Sequence, residues 1–505
     1  MSTTAGSRYT FPIAAALFTF ILHALGNPHY GFFRDELYFI MCGRHPDWGY
    51  VDQPPVVPLL GAASQALGTS LILLRLVPAF FAAASVYVTC TLAQELGGAL
   101  FAQIVAAVAA CLAPVLMGLG SQLDPDGVGL WLWPLAALFI VRMVKGECPR
   151  LWLAVGALFG VCFESKYSVA YFIAALIVAM LLTGERRLLW SKWFAGGVAL
   201  AALIALANFL WQAAHGFPIV ELLRNGQLGK NVMLTPLEFI GQQFVLMNPV
   251  LSLVWLAGLV WLLLKPAYRF LGLTYVILML LMAASHAKSY YPADAYPILI
   301  AAGGAAIESW TERARLARPL AAAVFVLAGA VFVPFAMPVL PEQSFIAYSN
   351  SVYRALGADQ SAMKTENHAL GSLPQDYADM HGWPELAATV AHVYDELPPA
   401  DRAKAVAFAQ NYGEAAAIEF FAPRVPVVSG HNQYWLWGPR GHDGSVVIDV
   451  AGDCGAKQHL FASGVKAATF SAPYVMPYED GIPIMVCRGL KIPIATLWLS
   501  LKHYE

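Results

Sequence analysis

The sequence predicts a polytopic α-helical membrane protein that carries a small C-terminal α/β domain outside the membrane. Of its 505 residues, 59% are hydrophobic and 12% are charged, whereas about a quarter of the residues in a soluble globular protein are charged. Its apolar runs are long and do not alternate with polar residues, which favours a helical bundle. Toward the end of the chain, short apolar runs alternate with helical patterns, which is typical of an α/β domain.

Eleven segments are apolar enough to form transmembrane helices, since a spanning helix needs roughly 20 residues and fewer when its ends are buried in protein. They lie near residues 10–26, 71–94, 99–119, 127–144, 150–164, 167–183, 193–212, 243–264, 269–285, 293–308 and 318–339. No convincing cleavage site follows the first segment, so we interpret it as an uncleaved anchor.

The lysines and arginines of the short loops predict the orientation of this bundle. If the N-terminus is cytoplasmic, the basic loops "VRMVKGECPR", "TGERRLLWSK", "KPAYR" and "ESWTERARLARP" all fall on the cytoplasmic side. The other polar stretches then face outward: residues 27–56, "GSQLDPDG", "FESKYS", residues 213–242, "SHAKSYYPADAYP" and the chain after about residue 340. The sequence therefore predicts a basic cytoplasmic side and an outer side that carries the chemistry.

Two short helices are predicted in the first outer loop and its continuation. "DELYFIMCGRH" has Leu37, Ile40 and Met41 at helical spacing but is too short to span, which indicates an interfacial helix. "DQPPVVPLLGAASQALG" starts with two prolines, which a first helical turn tolerates, and predicts a second such helix. We therefore predict a transmembrane domain over residues 1–340, with interfacial helices at 34–68, and an extracytoplasmic α/β domain over 341–505.

In that second domain, "AKAVAFAQ", "VPVVSG", "GSVVIDVAG" and "IPIMVCRG" predict strands, and "YGEAAAIEFFA" predicts a helix. The stretch "HNQYWLWG" is rich in aromatic residues, which could stack on a sugar, rest on lipid headgroups or form a buried core. Cys454 and Cys487 are the two cysteines of this part, and they form either one disulfide or two free thiols. No CxxC pair suggests a zinc or redox site, and a net charge of −2 gives no indication of nucleic-acid binding.

Acidic residues are concentrated in the predicted outer loops. Asp35 and Glu36 are adjacent helical residues whose side chains point about 100° apart, so one can line a pocket while the other orients it. A lone pair of this kind more often stabilises a helix N-terminus, by ~0.3–1 kcal/mol. Asp52 follows in "WGYVDQPP", and Asp124 and Asp126 lie in "SQLDPDG", where ordinary Asp-Pro and Asp-Gly turns are the alternative. Charges near a membrane are costly unless paired or solvated, so these acids are functional candidates.

Cations are predicted on the same side of the membrane as these acids. Lys166 in "FESKYS" and Lys288 in "SHAKSYYPADAYP" oppose the positive-inside bias, although either alone is explained by snorkelling to lipid headgroups. With Arg34 they provide three cations around an acidic pocket, and tyrosines near Lys288 add hydroxyl donors: Tyr290, Tyr291 and Tyr296. Such groups fit the phosphate of a lipid carrier, and a nearby acid fits deprotonation of an attacking hydroxyl.

Residues 31–55, "GFFRDELYFIMCGRHPDWGYVDQPP", resemble the first outer loop of family-39 glycosyltransferases, which have the glycosyltransferase-C fold. This family includes protein O-mannosyltransferases and the aminoarabinose transferase that modifies lipid A. The resemblance extends to "SQLDPDG", "ESKYS" and "AKSYYPADAYPILIAAGG", and in the tail to "NYGEAAAIEFF" and "SGHNQYWLWG". The lipid A branch has an acid-lysine-proline sequence where this chain has Asp52-Gln53-Pro54, so one phosphate contact of that branch is missing here.

The resemblance implies roles for the residues singled out above. Asp35 would be the general base or acceptor-orienting carboxylate, Glu36 its structural neighbour, and Asp124 or Asp126 a second catalytic acid. Donor phosphate would be bound by residues of three outer loops: Arg34, Lys166, Lys288, Tyr290 and Tyr291. The remaining pocket residues would be Asp52, Gln53 and His286. No cofactor is required, and a divalent metal is optional, with Asp52 as its candidate ligand.

The implied activity is that of a hexosyl- or pentosyltransferase. It would transfer a sugar, with inversion, from a polyprenyl-phosphate donor to a hydroxyl of a glycolipid, polysaccharide or protein. Its location would be the bacterial inner membrane, with the site and the α/β domain periplasmic and with membrane lipid around the bundle.

Two other classes of function explain the sequence less well. A transporter or flippase would also have a charged cavity. Transport pathways, however, usually place polar groups near the midplane of the membrane, whereas the acids and cations here lie on one predicted side of it. A binding or assembly protein anchored in the membrane would not need eleven spans.

Overall fold

The computed structural model describes residues 5–229, 234–357, 371–454 and 459–505 of the chain. The first part is helical, and the helices follow the apolar runs of the sequence. They are α1 Ala5–Gly26, α2 Arg34–Arg44, α3 Val56–Ser64, α4 Leu71–Glu95, α5 Leu100–Leu112, α6 Pro114–Leu119, α7 Pro125–Val144, α8 Leu151–Phe163, α9 Val169–Leu181, α10 Lys192–Ala214, α11 Pro218–Gly229, α12 Pro236–Leu246, α13 Ser252–Leu264, α14 Arg269–Ala284, α15 Tyr296–Trp310, α16 Arg318–Ala330 and α17 Val333–Ala336. Short 3-10 helices occupy Gly184–Leu189, Pro266–Tyr268, Tyr291–Ala295 and Glu312–Ala317.

Each of the eleven predicted segments overlaps one or two of these helices. Within the described residues, five helices are long and apolar enough to cross a membrane: Arg8–Gly26, Leu71–Glu95, Pro125–Val144, Lys192–Ala214 and Pro266–Ala284. Four further apolar helices are shorter: Leu100–Leu112, Leu151–Phe163, Val169–Leu181 and Ser252–Leu264. The helical fold is thus confirmed, and the number of spans stays a prediction.

Three segments that the sequence predicts as continuous are interrupted in the structure. Ala113 is extended (φ −67°, ψ 123°) between α5 and α6, because Pro114 disfavours the helical conformation in the residue before it. The second break separates α12 from α13, at Asn248 with a positive φ of 67° and Pro249. The third separates α16 from α17. All three breaks lie beside the cavity described below, where α6, α12 and α17 contribute lining residues.

Both short helices predicted after the first segment are present, but α2 is not a surface helix. Nine of its eleven residues are buried, because α3 packs on one side and a helix from the C-terminal part packs on another. Polar residues between the apolar positions suggested an exposed face. Several of them are instead paired inside the protein.

The C-terminal part contains helices and one five-stranded sheet. Its helices are α18 Glu342–Leu356, α19 Gln375–Ala378, α20 Trp383–Glu396, α21 Pro399–Arg402, α22 Tyr412–Phe421, α23 Asn432–Trp437 and α24 Ile494–Ser500, and its strands are β1 Ala405–Ala409, β2 Val427–Ser429, β3 Val446–Val450, β4 Phe461–Phe470 and β5 Ile482–Leu490. The strand order is β2-β1-β3-β5-β4. β1 pairs in parallel with β2 and β3, whereas β5 is antiparallel to β3 and β4.

Helices α20 and α22 cover one face of the sheet, and the other face packs against Trp498 of α24. Cys454 and Cys487 form a disulfide, which decides between the two alternatives that the sequence left open. A single hydrophobic core runs from the membrane helices through α2 into α20, α22 and the sheet. The predicted boundary near residue 340 lies between α17 and α18, and as a domain boundary it stays a prediction.

Candidate active site

An open cavity of about 980 Å³ lies where the predicted outer loops meet. Residues of the loop before α2, of the turn before α7, of the turn after α14 and of the C-terminal part all line it. The opposite end of α4 carries a different cluster, in which buried Glu95 pairs with Arg8, Arg142 and Lys145. The predicted outer and cytoplasmic stretches are therefore separated in the structure.

Asp35 lies in the first turn of α2 and lines the cavity, with 31% of its side chain exposed. Its Oδ1 accepts a hydrogen bond of 2.8 Å from the hydroxyl of Tyr412. The Arg34 Nε lies 3.6 Å from the same oxygen. Among the described residues, no hydrogen bond involves Oδ2, so this oxygen can accept a proton from a molecule in the cavity.

Glu36 has a different environment, since its side chain is fully buried and is not among the described residues that line the cavity. It forms a salt bridge with Arg75, which is equally buried, with Nη2 3.0 Å from Oε2. Its two oxygens also accept the backbone N–H of Phe33 at 2.9 Å and that of Leu123 at 3.0 Å. Glu36 thereby joins the start of α2 to α4 and to the residue before Asp124.

Asp52 lines the cavity and accepts a 2.8 Å hydrogen bond from the Tyr38 hydroxyl. Burial, opposed by the Tyr38 hydrogen bond, raises the pKa of Asp52 to about 7. Gln53 is buried, and neither atom of its side-chain amide has a hydrogen-bond partner among the described residues. It is not among the described lining residues.

Asp124 lines the cavity and caps α7, where its Oδ1 accepts the backbone N–H of Asp126 at 2.7 Å. Burial and the neighbouring Asp126 raise the pKa of Asp124 to about 7, although Lys166 opposes this shift. Asp126 is buried and forms an ion pair with Lys166. Lys166 also lies 4.1 Å from the ring centroid of Tyr291. This lysine therefore supports the wall of the cavity from behind and is not itself among the described lining residues.

Lys288, Tyr290 and Tyr291 all line the cavity, as the sequence predicts. Arg34 also lines it, and its guanidinium donates to the Tyr478 hydroxyl at 3.0 Å and lies 3.5 Å from Asp379. His286 is exposed on the turn after α14 and is not among the described lining residues. The structure thus brings most of the predicted residues together, and their individual roles stay predictions.

Several residues that matter to this cavity were not singled out from the sequence. Asp376, Tyr412 and Glu505 line it, and all three belong to the C-terminal part, as does the lining residue Asn432 of the stretch "HNQYWLWG", which the sequence did single out. Burial and the nearby Asp35 raise the pKa of Asp376, whereas Arg34 and Lys288 lower it, so Asp376 lies among these charges. No local pattern marks these positions, because they reach the site through long-range folding.

Two other residues near the site were not singled out either, although the sequence gives a reason to do so. Arg75 is a single charge in the apolar run "LILLRLVPAFF", and such a residue needs a partner. Asp294 in "SYYPADAYP" is buried behind Asp126 and Lys166. A Cβ at Gly129 would lie 2.0 Å from Asp294 Oδ2, so a larger residue at this position would require that carboxylate to shift.

A metal ion at Asp52 stays a prediction, and the described residues contain one other set of possible ligands. The group of three candidate ligand residues found among them is Asp449, Cys454 and Cys487, far along the chain from Asp52. Both sulfurs of that group are joined in the disulfide and cannot act as thiolate ligands.

Comparisons with known proteins give results that agree with this architecture. Residues 52–211 match the dolichyl-phosphate-mannose-protein mannosyltransferase family. The chain is 25% identical over 237 residues to the lipid A galacturonosyltransferase RgtD of Rhizobium johnstonii (strain DSM 114642 / LMG 32736 / 3841), a match that covers 44% of this chain and 48% of that protein. The chain thus spans about half the length of this curated relative.

The structure superposes on ArnT from Cupriavidus metallidurans over almost the whole of both chains. The TM-score is 0.61 against ArnT bound to undecaprenyl phosphate, at 16% identity and with 96% of this chain and 98% of the other covered. Against the apo state the TM-score is 0.60, at 15% identity and with the same coverage.

The chain is therefore a helical membrane protein with the glycosyltransferase-C fold and a small C-terminal sheet. The predicted resemblance to family-39 glycosyltransferases is confirmed.

Proposed function

We propose that the protein transfers a sugar from a polyprenyl-phosphate donor to a hydroxyl group of an acceptor glycolipid, polysaccharide or protein. The observation that carries this proposal is that one cavity joins an apolar surface to a cluster of carboxylates and cations. Its apolar lining comes from predicted membrane segments and from α11 of an outer loop: Val115, Leu119, Val245, Leu246, Phe332 and Phe335 from the former, and Leu222 and Leu223 from the latter. A polyprenyl chain fits the apolar part, and its phosphate then meets Lys288.

Relatives support the nature of the donor. ArnT, which shares the fold, has been crystallised with undecaprenyl phosphate, and RgtD is named for the transfer of galacturonic acid to lipid A. Undecaprenyl phosphate is a polyprenyl phosphate, as the proposed donor requires.

The lining residues suggest a direct displacement. Asp35 takes the proton of the acceptor hydroxyl, and the oxygen attacks the anomeric carbon as the bond to the phosphate breaks. The leaving polyprenyl phosphate gains negative charge, which Lys288 and the hydroxyls of Tyr290 and Tyr291 stabilise. One displacement on one carbon inverts its configuration.

Lys288→Ala tests the donor site. A charge-assisted bond to the phosphate contributes about 1.5–3 kcal/mol, so binding of undecaprenyl phosphate to the purified variant should weaken by roughly tenfold to a hundredfold. Lys466→Ala, which removes an exposed lysine of β4 outside the cavity, should bind like the wild type. Saturable binding that is unchanged in Lys288→Ala would remove Lys288 from the phosphate site. No saturable binding by the wild type would contradict the proposed donor.

We further propose that the cavity faces the periplasm, since the basic loops lie at the other end of the helices. Native Cys148 is exposed in the basic loop after α7, whereas Cys42, Cys90, Cys111 and Cys162 are buried. A membrane-impermeant maleimide added to intact spheroplasts should therefore leave the wild type unlabelled and should label Asp47→Cys, an exposed position of the first outer loop. After lysis, Cys148 should react as well. Labelling of Cys148 before lysis would reverse the proposed orientation.

A further inference from the structure

The N-terminal end of α22 is packed directly on the part of α2 that carries the proposed base. Asn411 caps α22, with its Oδ1 accepting the backbone N–H of Glu414 at 2.9 Å, and its amide also donates to Glu479 at 3.2 Å. The next residue, Tyr412, is 8% exposed and donates its hydroxyl to Asp35 at 2.8 Å. A residue far along the chain therefore touches the carboxylate on which the proposed reaction depends.

The close approach of α2 and α22 depends on the small size of Gly413, the residue after Tyr412. A Cβ added at Gly413 would lie 2.4 Å from Cγ and 2.7 Å from Cδ of Arg34, distances that real Cβ atoms do not show. Arg34 passes across this glycine, and its guanidinium lies 5.7 Å from the ring centroid of Tyr412. Its backbone N–H donates to Asp379 at 3.1 Å, so a second segment of the C-terminal part holds the start of α2.

The ring of Tyr412 packs against two other rings. Its centroid lies 4.6 Å from that of Tyr38 and 4.9 Å from that of His431, which belongs to the stretch "HNQYWLWG". In the same stretch, the side chain of Gln433 accepts the backbone N–H of Val51 at 3.1 Å, in the loop that leads to Asp52. The direction in which the Tyr412 hydroxyl points is thus determined by packing.

We propose that Tyr412 is a positioning residue of the transferase, which holds Oδ1 of Asp35 so that Oδ2 faces the acceptor hydroxyl. This inference rests on the proposed function and deepens it, because it makes the C-terminal part a component of the catalytic centre. The acceptor proton moves to Oδ2, the oxygen's electron pair forms the new C–O bond, and the pair of the old bond leaves with the phosphate. Tyr412 keeps its own proton throughout.

Tyr412 is suited to act as a hydrogen-bond donor in this arrangement. Burial raises the pKa of its phenol well above the ordinary value, although Arg34 opposes this. The hydroxyl therefore stays protonated at neutral pH and does not compete with Asp35 for the acceptor proton.

The test compares full-length Tyr412→Phe with Tyr434→Phe as a matched control. Tyr434 is another buried tyrosine of the C-terminal part whose hydroxyl donates to a carboxylate at 2.8 Å, in its case that of Glu419, and Glu419 is not among the described lining residues of the cavity. Transfer is measured with undecaprenyl-phosphate mannose and undecaprenyl-phosphate galacturonic acid as donors and with lipid A and a serine-containing peptide as acceptors. Tyr412→Phe should lower kcat about tenfold or more, as expected for loss of a hydrogen bond to a charged group, and should leave KM for the donor unchanged.

Replacement of Tyr412 by 4-aminophenylalanine, which restores an N–H donor at the same place, should recover most of the lost kcat. Equal rates in Tyr412→Phe and wild type, an equal loss in Tyr434→Phe, or a loss that 4-aminophenylalanine does not recover would each overturn the inference. A change confined to the KM of the acceptor would also overturn it, since it would assign the C-terminal part to acceptor selection. A wild type that is inactive with every pair of substrates would instead refute the proposed function itself.

Discussion

Asp35→Asn should slow sugar transfer by about a hundredfold or more while the protein still binds undecaprenyl phosphate. Asparagine has nearly the same shape and keeps a carbonyl oxygen toward Tyr412, but it cannot accept the proton of the acceptor hydroxyl. Loss of a general base typically costs about a hundredfold to ten-thousandfold in rate, so kcat should fall within that range. The measurement is turnover of the purified variant together with its affinity for undecaprenyl phosphate.

Asp47→Asn is the matched control for this prediction. Asp47 lies in the same loop, is exposed, and accepts the backbone N–H of the next residue, Trp48, at 2.7 Å. Its variant should turn over at the rate of the wild type. Undiminished transfer by Asp35→Asn would show that another group takes the proton. The other described carboxylates that line the cavity are Asp52, Asp124, Asp376 and Glu505.

Glu36→Gln should destabilise the protein strongly, because it would leave Arg75 charged and without its counter-ion in the interior. Arg75 donates to both oxygens of Glu36 and to the backbone carbonyls of Asn27, His29 and Gly31, so this pair holds the loop between α1 and α2. Removal of one partner of a buried ion pair typically costs about 3–5 kcal/mol. The midpoint of thermal unfolding in detergent should therefore fall by many degrees.

Two further variants show whether the loss comes from the unpaired charge. Glu312→Gln changes an exposed glutamate that pairs with an exposed arginine, and it should leave the midpoint unchanged because such surface pairs contribute little. Arg75→Met in the Glu36→Gln background removes the uncompensated charge and should recover part of the loss. A midpoint of Glu36→Gln equal to that of the wild type would contradict a structural role for the pair.

Local sequence patterns predicted most of the helices, since apolar length is a strong signal. They also predicted four of the five strands, for example β3 in "GSVVIDVAG". β4 was missed because its residues, "FASGVKAATF", are mostly small or polar and exposed at the edge of the sheet, so neither an apolar run nor a regular alternation marks it. The burial of α2 was missed because the helix that covers it, α22, lies almost 400 residues further along the chain.

The candidate site was predictable in its membrane half and not in its C-terminal half. Asp35, Asp52, Asp124 and Lys288 stood out as charges at the ends of apolar segments, and the structure places all four around one cavity. Asp376 and Tyr412 lie in a part of the chain where polar residues are common, so composition does not distinguish them. Helix geometry predicted that the side chains of Asp35 and Glu36 point in different directions. Only the folded structure identifies Arg75 as the partner of Glu36.

The stereochemistry of the product tests the central claim most directly, which is that Asp35 assists a single displacement in this cavity. A polyprenyl-phosphate sugar of known anomeric configuration would be transferred by the wild-type protein, and the coupling constant of the anomeric proton in the product would be measured by NMR. We predict the configuration opposite to that of the donor. A product with retained configuration would contradict the account, because it would require two displacements and a covalent intermediate.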